Sequence, residues 1–134
     1  MYRIVLDTNV LISAIIRNGK PRQLLRKSVN DRKYVMVTSD EILNETADVL
    51  RRPKFQISED EIKEILFVLI SSSDIKMTKS RFKVIKEDPD DDVIINTAYD
   101  GQADYIVSGD DDLLRVKEFK GIQIVTVVEM LKFL

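Results

Sequence analysis

The stretch ADYIVSGDDDLL, residues 103–114, predicts a short strand that leads directly into a group of acids. Tyr105 to Val107 is apolar and contains β-branched residues, as expected for a buried strand. Asp111 to Val116 has the pattern of a short helix, and Asp110 stands just before it. The order is strand, acid, helix.

The stretch MYRIVLDTNV, residues 1–10, repeats that order at the start of the chain. Tyr2 to Leu6 predicts a strand, Asp7 follows it, and a helix is expected from Asn9 to about Arg17. Strands that alternate with helices favour a parallel sheet with helices on both faces.

The segments between these two stretches continue the alternation. Pro21 and Pro53 mark a helix start and a helix end, and Ser58 with Glu61 forms a capping-box pattern. The further predicted helices are Pro21–Asn30, Asp40–Arg52, Ser58 to about Ser72, Asp90–Asp100 and Val128–Leu134, and the further strands are Tyr34–Thr38, Ile75–Thr78 and Ile122–Val127. We expect one α/β domain over residues 1–134, a three-layer α/β/α fold with a central parallel sheet of about five strands.

The composition excludes several kinds of site. The 134 residues include no cysteine, no histidine and no tryptophan, so serine–histidine triads, cysteine nucleophiles, zinc fingers and iron–sulfur sites are impossible. A catalytic metal would have to be bound by oxygen. No apolar run reaches the length of a membrane span, and the first residues lack a signal-peptide layout. We therefore expect a soluble, cytoplasmic protein.

Acidic residues are predicted to converge at one edge of the sheet, because sites form outside the carboxyl ends of parallel strands. Asp7 follows the first strand, Asp110 to Asp112 follow the fourth, and Asp90 to Asp92 begin the helix before it. Each group alone has an ordinary interpretation as a helix cap or first-turn acid. Together they would repel one another unless a cation lies among them, and oxygen ligands favour Mg²⁺ or Mn²⁺.

Glu45 is a further candidate. It borders the apolar face of the helix Asp40–Arg52, where a carboxylate is unusual without a partner. The pattern leaves open whether that partner is a lysine at the rim or the acidic site.

Four motifs in this order resemble a PIN domain, and most closely the toxin components of toxin–antitoxin systems related to VapC. They are LDTNVL at 6–11, EILNE at 41–45, DPDDD at 88–92 with Ala98, and ADYIVSGDDDLL at 103–114. The resemblance covers nearly the whole chain.

The resemblance implies a metal-dependent ribonuclease that uses Mg²⁺ or Mn²⁺ and carries its acids on matching positions. The implied catalytic and metal-binding residues are Asp7, Glu45, Asp92 and Asp110, with Asp112 as a fifth metal ligand and Asn9 and Ser108 as supporting residues. Asp90, Asp91 and Asp92 are adjacent, and the spacing to Asp110 favours Asp92. The resemblance also implies an RNA substrate, a cognate antitoxin and a homodimer.

Basic residues near the acids are candidates for binding RNA phosphates. They are Arg17, Lys20, Arg22, Arg51 and Arg52; the segment from Lys76 to Lys86 is also basic and contains no acid. Any one of these segments has the ordinary interpretation of a solvated surface.

Other classes fit less well. A receiver domain needs an acidic pair after the first strand, a haloacid-dehalogenase-type phosphatase needs DxDxT, and no G-x-G-x-x-G is present for a dinucleotide. The serious alternative is a PIN-like module that binds RNA or protein without catalysis.

Overall fold

The computed structural model describes residues 1–85 and 88–134, and these form a sheet flanked by helices. The strands are β1 (Arg3–Leu6), β2 (Val35–Ser39), β3 (Ser73–Lys76), β4 (Tyr105–Val107), β5 (Glu118–Phe119) and β6 (Ile122–Val125). The helices are α1 (Thr8–Ile16), α2 (Lys20–Val29), α3 (Asp40–Leu50), α4 (Glu59–Ser72), α5 (Pro89–Asp100), α6 (Asp111–Val116) and α7 (Val127–Lys132), with a 3₁₀ turn at Pro53–Phe55.

The sheet has the order β3-β2-β1-β4-β6-β5. All pairings are parallel except β5 with β6. The chain moves from β1 to β3 in one direction and then returns past β1 to β4. Because crossovers between parallel strands are right-handed, this reversal places α5 on the face opposite α1. The predicted α/β class with helices on both faces is therefore confirmed.

The sheet has six strands rather than about five. The extra strand, β5, has only two residues, too few for a periodic pattern. It pairs Phe119 with Ile122 across the two-residue turn Lys120–Gly121, whose φ angles of 48° and 86° are both positive. This conformation is typical of a type I′ hairpin, in which glycine is favoured.

The third strand also begins earlier than predicted. Ser73 to Lys76 form β3, in register with Met36 to Ser39, whereas the sequence favoured Ile75–Thr78. The reason is that α4 ends at Ser72 and the chain enters the sheet without a loop.

The core fills both sides of the sheet. Ile4, Val5 and Leu6 of β1 are essentially inaccessible, as expected for a central parallel strand that is covered on both faces. On α4, Ile62 and Leu69 are buried and Ile65 and Leu66 pack against the core. Among the described residues, no helix has the length and apolarity needed to cross a bilayer.

Candidate metal centre

The acidic side chains meet where the chain reverses direction across the sheet. β1 lies between β2 and β4, and open α/β sheets bind ligands beyond the carboxyl ends of the strands at such a point. Asp7 follows β1, and Asp110 follows β4 after Ser108 and Gly109. Both line one cleft, as their positions in the sequence predict. The residues lining it are Asp7, Thr8, Asn9, Glu45, Asp88, Asp90, Asp91, Ile94 and Asp110.

Asp7 and Asp110 are both helix caps and cleft residues. Asp7 Oδ1 accepts a hydrogen bond from the Val10 amide at 2.9 Å, and Asp110 Oδ1 accepts one from the Asp112 amide at 2.9 Å. Such bonds satisfy amides at a helix start that have no partner within the helix. Capping uses one oxygen of each carboxylate, so it does not prevent the other oxygen from binding a ligand.

Ser108 links the two strand ends. Its hydroxyl donates to Asp7 Oδ2, and the Asp110 amide donates to Ser108 Oγ at 2.9 Å. Asp7 is only 4% exposed. Burial raises the pKa of the Asp7 carboxyl, hydrogen bonds from Ser108 and Val10 oppose that rise, and the charge of Asp110 adds to it. Ser108 therefore fixes the orientation of a buried carboxylate.

Asp91 is the acid of α5 that approaches Asp110. One oxygen each from Asp88, Asp91 and Asp110 lies within 4.8 Å of the other two. Asp91 Oδ2 is buried without a hydrogen-bond partner among the described residues. Burial, followed by the close approach and negative charge of the Asp110 carboxylate, raises the pKa of Asp91 to about 7.

These observations test whether a divalent cation fits. Carboxylates this close repel one another, and a buried oxygen without a partner is costly to the fold. Mg²⁺ and Mn²⁺ prefer oxygen ligands, and the facing atoms are all carboxylate oxygens. The donor set of Asp88, Asp91 and Asp110 fits such an ion.

Glu45 forms another wall of the cleft from α3. Its Oε2 accepts a hydrogen bond from the Thr8 hydroxyl at 3.3 Å. Burial raises the pKa of Glu45, and the charges of Asp90, Asp88 and Asp7 also raise it. No ion pair joins it to a cation within residues 1–85 and 88–134. The acidic site, rather than a lysine at the rim, is thus its environment. No pattern in the sequence pointed to Thr8.

The choice of Asp92 as the site acid is corrected by the structure. Asp92 does not line the cleft, and its Oδ1 accepts the amides of Val84 and Ile85 at 2.9 and 2.8 Å. Asp91 takes the place expected for Asp92, beside Asp110. Asp88, the N-cap of α5, was not singled out as a ligand.

The phase of α5 explains this correction. Asp91 precedes Ile94 by three residues and Ile95 by four, and both isoleucines are buried. Side chains at these spacings share one face of a helix, so Asp91 lies on the side facing the protein interior. Asp92 instead shares a face with Asn96 and Asp100. Ile95 also lies three residues after Asp92, so the positions of the apolar residues alone do not decide between the two acids.

Asp112 is also not brought into the cleft. Its Oδ1 pairs with Arg115 at 3.1 Å, one turn further along α6. Asn9 lines the cleft and is exposed, a place compatible with a supporting role.

The five basic candidates differ in what they contact. The Arg22 guanidinium donates to the carbonyls of Ala14 and Ile15 at 2.9 and 2.7 Å, so it caps the end of α1. Arg51 pairs with Asp48 and Glu59. Arg17, Lys20 and Arg52 are exposed and form no ion pair with another described residue. Lys86 lies outside the described residues.

Comparisons with known proteins agree with this fold. The protein is 37% identical over 120 residues to an uncharacterized protein of Methanocaldococcus jannaschii, an alignment that covers 87% of this chain and 76% of the relative. A crystal structure of VapBC2 from Rickettsia felis, bound to a DNA fragment from the promoter, contains a chain that matches with a TM-score of 0.63 at 13% identity. The match covers 92% of this chain and 98% of that one. At this identity, the likeness concerns the fold.

The family model described as "PIN domain" matches residues 3–112. This range begins at β1 and ends in α6, so it includes every residue lining the cleft. The chain therefore belongs to the PIN domain family.

Proposed function

We propose that residues 1–134 act as a single PIN domain that hydrolyses phosphodiester bonds of RNA endonucleolytically with Mg²⁺ or Mn²⁺. The observation that carries the proposal is the environment of Asp91: its Oδ2 is buried without a hydrogen-bond partner among the described residues, and one of its oxygens lies within 4.8 Å of an oxygen of Asp88 and an oxygen of Asp110. Family membership supports a nuclease. A stable fold needs a positive charge or a proton at this point, and a divalent cation supplies the charge.

Asp88, Asp91 and Asp110 would hold the ion, and Asp7 would border it from the end of β1. When bound, the ion supplies a water of lowered pKa and neutralises negative charge on the scissile phosphate. Hydrogen bonds from Ser108 and Val10 hold the Asp7 carboxylate rigidly, so its position beside the ion would be fixed. Glu45, with its raised pKa, would accept a proton from attacking water or bind a second ion.

Water, rather than the ribose 2′-hydroxyl, is the proposed nucleophile. The products would then carry 5′-phosphate and 3′-hydroxyl ends. Attack by the 2′-hydroxyl would instead leave a 2′,3′-cyclic phosphate, so end analysis distinguishes the two routes.

The test is cleavage of end-labelled single-stranded RNA by the purified protein in Mg²⁺ or Mn²⁺. We expect cleavage that is abolished by EDTA and by Asp7→Asn. Asparagine is also a good helix N-cap, so this variant should retain the fold, which melting would verify. RNA that stays intact with every metal, although a metal titration shows binding, would favour a PIN module that binds RNA or protein without catalysis. Absence of metal binding would exclude the proposed enzyme.

We further propose that this nuclease is the toxin of a toxin–antitoxin pair and acts as a homodimer. The support is the resemblance of its motifs to VapC-like proteins and the fold shared with a chain of the VapBC2 complex. An exposed apolar patch on α4, with Phe67 at 71% and Ile70 at 47% exposed, is available for a protein partner. Arrest of bacterial growth upon expression, relieved by the product of the neighbouring gene, would support the toxin assignment. Sedimentation equilibrium would report the dimer.

A further inference from the structure

Residues 77–85, MTKSRFKVI, run along α5 without regular secondary structure and are called the strap below. Three polar side chains of α5 bind the backbone of the strap: Asp92, Asn96 and Asp100, called the polar ladder. They are spaced four residues apart, so they lie on one side of the helix. The ladder occupies the face of α5 that Asp91 does not share.

Each step of the ladder bonds to strap backbone. The pairs are Asp100 with the amides of Lys79 and Ser80 at 2.6 and 2.9 Å, Asn96 with the amide and carbonyl of Phe82 at 2.9 and 3.1 Å, and Asp92 with the amides of Val84 and Ile85 at 2.9 and 2.8 Å. These hydrogen bonds fix the course of the strap, which has no regular secondary structure. The negative charges of Asp92 and Asp100 are directed to backbone amides.

The strap side chains alternate between two environments. Thr78, Ser80, Phe82 and Val84 are partly buried, whereas Lys79, Arg81 and Lys83 between them are exposed. Alternation of this kind is typical of extended chain, in which every second residue points the same way, about 7 Å apart. The exposed edge therefore presents three cations in a row, at a spacing comparable to that of successive phosphates in an extended single strand.

A fourth cation reaches the same surface from another element. Lys120, in the turn between β5 and β6, places its Nζ 5.5 Å from the centre of the Phe82 ring. Phe82 packs edge-on against Tyr99, which is 41% exposed. Positive charge beside aromatic rings is a common arrangement in proteins that bind single-stranded nucleic acid.

We propose that Lys79, Arg81 and Lys83 bind successive phosphates of single-stranded RNA and direct it to the acidic cleft. This inference deepens the proposed function and rests on it. The strap ends beside the cleft, because its residues Val84 and Ile85 bond to Asp92, the neighbour of Asp91. RNA lying on the strap would thus continue towards the proposed metal ligands, and the three cations would offset the repulsion between phosphates and acids.

The test compares wild type with the triple variant Lys79→Gln/Arg81→Gln/Lys83→Gln. Binding of a labelled single-stranded RNA is measured by anisotropy in EDTA, where no metal-dependent cleavage interferes. Loss of three phosphate contacts should reduce the slope of log K against log salt concentration by about two, which corresponds to about 100-fold weaker binding at 0.1 M salt. In Mg²⁺ or Mn²⁺, KM for long RNA should rise while kcat stays within about twofold.

A matched control removes the same charge elsewhere. Lys33→Gln/Lys63→Gln/Lys132→Gln changes three exposed lysines outside the strap and the cleft. We expect this variant to bind RNA within about threefold of wild type, since remote charges are largely screened. Equal losses in both triple variants would show an effect of net charge and would overturn the inference, provided that melting shows both variants folded.

The outcomes separate this inference from the proposed function. Cleavage by wild type, with unchanged RNA binding in the strap variant, would overturn the strap as a phosphate site and leave the nuclease standing. RNA binding that depends on the strap, in a protein that cleaves nothing, would support the strap and refute the nuclease. Absence of RNA binding by wild type at low salt would overturn the strap inference outright.

Discussion

Helix α5 carries two groups of acids whose environments are opposite. In the cleft, Asp91 Oδ2 is buried without a hydrogen-bond partner within residues 1–85 and 88–134, and an oxygen of Asp91 lies within 4.8 Å of carboxylate oxygens of Asp88 and Asp110. On the polar ladder, Asp92 and Asp100 each accept hydrogen bonds from strap amides. Local acid density is therefore a poor guide to a metal site. What distinguishes the two groups is whether the protein itself satisfies the carboxylate oxygens.

The substitutions Asp91→Asn and Asp92→Asn test this difference between the two groups of acids most directly. Both substitutions remove one charge at adjacent positions. Because Asp91 is a proposed ligand, we expect its loss to reduce the rate of RNA cleavage by about 10²–10³-fold, the equivalent of several kcal/mol of transition-state stabilisation. Asparagine at 92 can still accept the Val84 and Ile85 amides, so cleavage should stay within about threefold.

The measurement is kcat/KM for metal-dependent cleavage, with metal affinity determined separately by calorimetry. Weaker metal binding in Asp91→Asn alone would agree with the comparison. A larger loss of cleavage in Asp92→Asn than in Asp91→Asn would restore the assignment that spacing to Asp110 favoured.

The same pair of residues shows what the sequence could and could not predict. The acids at the ends of β1 and β4 were predictable, because strand–acid–helix is a local pattern. The identity of the acid on α5 depends on helix phase, which Ile94 and Ile95 encode only in part, because Ile95 lies within one turn of both Asp91 and Asp92. The strap amides that bond to Asp92 lie in an irregular segment, and no periodic pattern in the sequence predicts that contact.

The fold was predictable for a similar reason. Strand β4 and helix α6 occupy the predicted residues, and the Ser58–Glu61 capping box forms at the start of α4. The start of β3 was predicted too late because α4 joins this strand directly. Strand β5 was not predicted because it has only two residues. The bonds from Arg22 to the carbonyls of α1 are likewise tertiary contacts. Composition alone does not distinguish such a structural arginine from a basic residue that binds RNA.

Asn96→Ala tests the ladder by its effect on stability. Asn96 bonds to both the amide and the carbonyl of Phe82, and its loss leaves two backbone groups without these partners. We expect the free energy of unfolding to fall by about 2 kcal/mol, as measured by urea denaturation. Asn44→Ala, at an exposed position of α3, is the control and should change it by less than about 0.5 kcal/mol. Similar values for both variants would mean that the ladder does not hold the strap.

The smallest expected effect is the pH dependence of the metal-free protein, which tests the environment of Asp91 in the cleft. The pKa of Asp91 is about 7 in the fold and about 4 in an unfolded chain. Between these values the folded state binds more protons, so the free energy of unfolding decreases as pH rises from about 4 to about 7. Because Asp91 is only partly buried, its share should be about 1 kcal/mol or less after solvent screening.

Denaturation in EDTA at several pH values across this range measures how steeply the free energy of unfolding decreases with pH. Asp91→Asn should make the decrease shallower, because it removes the carboxyl whose pKa burial and the neighbouring Asp110 raise. Added Mg²⁺ or Mn²⁺ should stabilise wild type most above pH 7, where Asp91 is ionised and free to bind the ion. An unchanged slope in Asp91→Asn would place the unsatisfied charge elsewhere than at Asp91, and the distinction between cleft and ladder would lose its electrostatic basis.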